Sequence, residues 1–157
     1  MLDQSATRAI LIEDALRSGG SRNKGVPLVN LLELMRERSA EEPYLSSIYF
    51  AGAEGDHPYF LLTDKFAAGI SVLPQDLAKA SKWKRHPHQT EVLFVLEGEL
   101  IAELRQECGP VQHRLRVGDV LIIPPGTCHR VLTAENREAA YLFAKSNPVT
   151  EPRSEDC

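Results

Sequence analysis

The stretch Arg85-His86-Pro87-His88-Gln89-Thr90-Glu91-Val92-Leu93-Phe94-Val95-Leu96-Glu97-Gly98 carries the densest chemistry in the chain. Its second half is a short apolar run of β-branched and aromatic residues closed by Gly98, the pattern of a core strand that ends in a turn. Its first half sets His86, His88 and Glu91 within six residues of one another. A second stretch, Gly118-Asp119-Val120-Leu121-Ile122-Ile123-Pro124-Pro125-Gly126-Thr127-Cys128-His129, repeats the order: turn, core strand, Pro/Gly turn, then one histidine. Side chains carried by strands are held more rigidly than side chains carried by loops, so both clusters suit a site.

Working outward, the strand-like period extends over residues 45–50, 59–63, 66–73, 100–105, 111–117, 120–123, 130–133 and 140–144. Gly/Pro turns separate these runs and no helical pattern falls between them, which predicts an all-β antiparallel sandwich or barrel. The turn at 53–58 places His57 in an exposed loop. Upstream the period is helical. Ala6, Ala9, Ile10, Ile12 and Leu16 predict a helix over 5–17, and the Leu31, Leu32, Leu34, Met35 stripe predicts another over 29–38. Residues 1–43 are thus expected to form an N-terminal helical extension, 44–147 the barrel, and 148–157 a flexible tail.

At 157 residues, 43% hydrophobic and 25% charged, the chain is sized for one domain with a real core. Eighteen basic against 22 acidic residues give −4, and no basic stripe interrupted by aromatics occurs, which argues against nucleic acid. No apolar run approaches the roughly 20 residues of a membrane span, and the N-terminus lacks a basic-then-apolar leader pattern. A cytoplasmic location is the expectation. Cys108, Cys128 and Cys157 are odd in number and widely spaced, which predicts free reduced thiols rather than a disulfide framework.

Two imidazoles from remote segments and one carboxylate converging inside a barrel form the donor set of a facial triad. That set suits divalent iron, manganese, nickel or zinc and leaves coordination positions open. The residues that suggest this resemble the two motifs of the cupin superfamily, G-x5-H-x-H-x3,4-E-x6-G and G-x5-P-x-G-x2-H-x3-N. The second motif is matched by Gly118, Pro124, Gly126 and His129, with Thr133 in place of its final Asn. In the first, Glu91 and Gly98 match. Anchoring on Glu91 puts His86 at the second histidine position and Lys84 at the first. The resemblance implies a double-stranded β-helix, the jelly-roll cupin barrel, with a metal inside held by His86, Glu91 and His129.

Lys84 then has two readings. It contacts substrate, binding a carboxylate or acting as an acid/base, or it stands in for the charge of a lost ion. His88 is a ligand in place of Lys84, a group behind the ligands, or a polar turn residue. Trp83, Phe94 and Tyr141 are expected as core or barrel lining. Arg85, Arg105, Arg114 and Arg130 are candidates for an anion contact at the barrel mouth, although alternation turns Arg85 away from His86. The functional expectation is a metal-dependent enzyme of oxygenase or isomerase type acting on a small polar metabolite. The alternative is a non-catalytic binding module or metabolite sensor with Lys84 in place of a metal ligand. A homodimer is expected from the apolar helical extension and the barrel edges.

Overall fold

A computed structural model describes residues 30–41, 47–53, 61–73, 82–146 and 155–157. The helix expected over 5–17 and the turn holding His57 lie outside the described residues. The second expected helix is present as α1 (Leu31–Glu41), opened by the Asn30 side chain, whose Oδ1 accepts from the Glu33 N–H at 3.3 Å.

Eleven strands follow among the described residues: β1 (Ser47–Gly52), β2 (Leu61–Leu62), β3 (Phe66–Leu73), β4 (Lys84–Arg85), β5 (Glu91–Glu97), β6 (Glu99–Gln106), β7 (Gly109–Arg116), β8 (Val120–Ile123), β9 (His129–Thr133), β10 (Ala139–Ser146) and β11 (Glu155–Asp156). They form a six-stranded sheet in the order β2-β1-β3-β10-β5-β8 and a five-stranded sheet in the order β11-β4-β9-β6-β7. All pairings are antiparallel except β1 with β2. This is the expected all-β jelly-roll architecture, with crossovers that bring β5 beside both β10 and β8.

The inner faces of the two sheets meet on Leu93, Val95, Leu100, Ala102, Ile123, Val131, Tyr141 and Phe143. A smaller cluster lies on the outer face of the six-stranded sheet. There Met35 of α1 is fully buried against Ile48, Ile70, Val72 and Ala140, so the leucine and methionine stripe is packing surface. Gly98 makes the β5–β6 turn at φ +71°, and an added Cβ would stand 2.6 Å from the Glu138 carbonyl oxygen. No other residue fits that turn without moving backbone.

Three sequence expectations fail here. Phe94 is on the outer face, exposed beside Val120, because β5 alternates Glu91, Leu93 and Val95 inward and Phe94 outward. Trp83 is no core residue either; its ring is half-buried beside the Arg105 and Arg130 guanidinium groups, 4.5 and 4.8 Å from its centroid. Finally, Cys128 and Cys157 form a disulfide with their Cα atoms 6.1 Å apart, while Cys108 is free and exposed. The end of the supposed flexible tail folds back: β11 pairs with β4, and Arg105 donates to the Cys157 carbonyl. Residue spacing could not show that return. A disulfide also removes the reduced-thiol argument for a cytoplasmic location, since such bonds persist in oxidising surroundings.

Candidate metal centre

Strand alternation that fills the core also aims the polar residues. In β5 the inward row is Glu91, Leu93, Val95, and in β9 it is His129, Val131, Thr133. Directly opposed residues share a sheet face. Lys145 is opposite Glu91 in the β10–β5 ladder and Lys84 is opposite His129 in the β4–β9 ladder, so both lysines enter the same interior.

His86 lies just past β4 and is fixed from the second cluster. Its carbonyl accepts from the Gly126 N–H at 2.8 Å, and Gly126 stands at φ +75°, where glycine alone is unstrained. The next residue, Thr127, turns its carbonyl to Nδ1 of His129 at 2.9 Å. One Pro/Gly turn therefore sets the backbone of one histidine and the ring of the other.

The three side chains meet deep in the barrel. His129 Nε2 is 2.9 Å and His86 Nε2 3.3 Å from Oε2 of Glu91; the ring centroids are 5.7 Å apart, and all three residues are buried. A carbonyl only accepts, so Nδ1 of His129 donates to it and Nε2 is the ring nitrogen left facing the carboxylate. Among the described residues Glu91 Oε2 and His129 Nε2 have no hydrogen-bond partner, and these three residues form a group that could hold a metal ion. The donor set, two imidazole nitrogens and one carboxylate oxygen, fits a divalent transition metal.

The other carboxylate oxygen has different neighbours. Lys84 Nζ and Lys145 Nζ each lie 3.8 Å from Oε1. Burial would raise the Glu91 pKa, but Lys84, both imidazoles and Lys145 outweigh it and hold the carboxyl well below its ordinary range. Burial lowers Lys84, and Glu91 only partly restores it. Burial likewise raises the Tyr141 phenol on the chamber wall.

His86, Glu91, His129 and Lys84 are brought together. His88 is not: Pro87 and His88 form a turn that leaves His88 exposed, outside the cluster. The arginines proposed for the mouth are engaged elsewhere, Arg85 with Glu155, Arg105 with Trp83 and Cys157, Arg114 with Glu99 and Glu135, Arg130 with Glu103. Lys145 was missed. The inward row Tyr141, Phe143, Lys145 was readable from alternation, but its register against Glu91 was not.

Residues 75–145 match the model of the cupin domain family Cupin_2. Over 74 residues the chain is 32% identical to the uncharacterized protein YdbB of Bacillus subtilis (strain 168), covering 42% of this chain and 63% of that protein. Over 83 residues it is 32% identical to a germin-like protein of Morus alba, covering 51% of this chain and 40% of the relative. The chain thus spans less than two thirds of either relative. Among solved structures, a protein with a double-stranded β-helix domain from Klebsiella pneumoniae aligns at a TM-score of 0.51 and 16% identity over 60% of this chain and 76% of that one, a likeness of fold. With two apposed sheets, both motif turns in place and the family match over 75–145, that stretch of the chain resembles a cupin domain.

Proposed function

We propose that this chain binds a divalent transition metal through His86, Glu91 and His129 and is a metal-dependent enzyme, of oxygenase or isomerase type, acting on a small polar metabolite. One observation carries the reading: Glu91 Oε2 and the two Nε2 atoms are buried together, both nitrogens within 3.3 Å of the carboxylate oxygen, a group that could hold a metal ion. Iron, manganese, nickel and zinc all accept such donors. A bound ion of this kind polarises a substrate oxygen or a water molecule. The chain's own part is to keep Glu91 anionic, to hold the His129 ring through Thr127, and to present Lys84, whose side chain is 36% exposed, to an incoming molecule.

The binding-module alternative, with Lys84 in place of the ion, is less well supported. Lys84 stands at Oε1, whereas both imidazoles face Oε2. The reading also includes a homodimer, because edge strand β8 exposes Val120 and Ile122 next to Phe94 on β5, an apolar patch suited to burial between copies. Metal analysis of protein purified without chelators tests the central reading. A stoichiometric transition metal in the wild type, lost in His129→Ala at unchanged fold, supports it; no metal in either protein removes it.

A further inference from the structure

The carboxylate of Glu91 divides its two oxygens between two kinds of neighbour. Oε2 faces imidazoles, while Oε1 is flanked by the ammonium groups of Lys84 and Lys145, both at 3.8 Å. Each contact is longer than an ordinary hydrogen bond, so it is chiefly a pairing of charges. Among the described residues, Glu91 is the only carboxylate that either lysine meets. One negative charge therefore faces two positive ones, and the lysines also repel each other. A divalent cation at Oε2 would engage the single negative charge and leave the chamber strongly positive.

Lys145 is held there by its surroundings. Its side chain is 11% exposed, with Nζ 5.2 Å from the Phe143 ring centroid and 5.9 Å from that of Tyr49. Lys84 is the more open of the pair, which gives a ligand a way in.

We propose that the chamber takes a small dianion, with one oxyanion group seated between the ammonium groups of Lys84 and Lys145 and the second donor turned toward the ion site. The inference rests on the metal reading above and adds Lys145 as a binding residue. Its logic is charge balance: a ligand carrying two negative charges offsets most of the excess that two lysines and a divalent ion create around one glutamate, whereas a neutral ligand leaves it standing.

Calorimetric titration of manganese-loaded protein with malonate, inorganic phosphate and the neutral analogue malonamide tests this, with metal content measured on every sample. Malonate or phosphate is expected to bind and malonamide not, and whichever anion binds more tightly identifies the preferred oxyanion. Lys145→Met should weaken anion binding about ten- to hundredfold, the loss expected of one hydrogen bond to a charged group. Its metal content should be unchanged, and Lys145→Arg should restore most of the affinity. Lys84→Met provides a second reading should the buried variant fold poorly. Binding of malonamide as tight as malonate, no binding of either anion, or anion affinity unchanged in both lysine variants of metal-replete protein overturns the dianion inference alone. Failure of the wild type to take up metal overturns the reading beneath it, and the metal measurement separates the two cases.

Discussion

The barrel interior has two halves built from the same strands, one apolar around Leu93, Val95, Leu100, Ile123 and Val131, the other polar around Lys84, His86, Glu91, His129 and Lys145. β5 supplies Glu91 to one half and Leu93 and Val95 to the other; β9 divides likewise between His129 and Val131, and β10 between Lys145 and Phe143. Period-two alternation treats all of them alike as inward residues. The energetics differ. The apolar half gains stability by leaving water, while each charge of the polar half costs desolvation that only a partner of opposite sign offsets. Stability and site function should therefore separate by half.

The largest effect on stability is expected from the apolar half. Leu93 is fully buried, and Leu93→Ala should cost about 2–5 kcal/mol in equilibrium denaturation. Metal bound per folded chain should not change, and its loss from a still-folded variant would break the separation. The disulfide comes next. It joins Cys128, beside His129, to Cys157 in the segment that pairs with β4, across a sequence separation of 29. Cys157→Ser should lower stability by about 2–4 kcal/mol, read from the denaturation midpoint of oxidised protein. A variant as stable as the wild type would mean that the fold does not depend on the bond.

The smallest effect on stability should come with a large one on the site. At Gly126 an added Cβ meets nothing within 4 Å, so Gly126→Ala bears only the left-handed backbone cost, about 1–2 kcal/mol. Its N–H holds the His86 carbonyl, so metal affinity should fall more than stability does. Equal metal affinity in the two proteins would show that the Pro124–Thr127 turn does not position the histidine.

What could be read in the sequence divides along similar lines. Strand alternation and turn residues located β3 and β5 through β10, and motif spacing paired His86 and Glu91 with the remote His129. Alternation also had the information to turn Phe94 outward, but a single apolar run such as Val92 to Leu96 does not say which of its faces is covered. Lys145 needed the β10–β5 register, and the Cys128–Cys157 bond needed the return of β11 to β4. Both are long-range pairings that no local pattern encodes. Trp83 illustrates a third kind of miss: its aromatic character suggested the core, yet two arginines from neighbouring strands hold it near the surface.

The most direct measurement is a crystal structure of protein soaked with Zn(II), read from anomalous scattering. A single peak is expected within about 2.0–2.2 Å of Nε2 of His86, an oxygen of Glu91 and Nε2 of His129. The same soak of His129→Ala should leave that position without a peak. A strong peak elsewhere in the barrel, or none at this position with the metal in excess, would contradict the convergence of these three side chains on one ion.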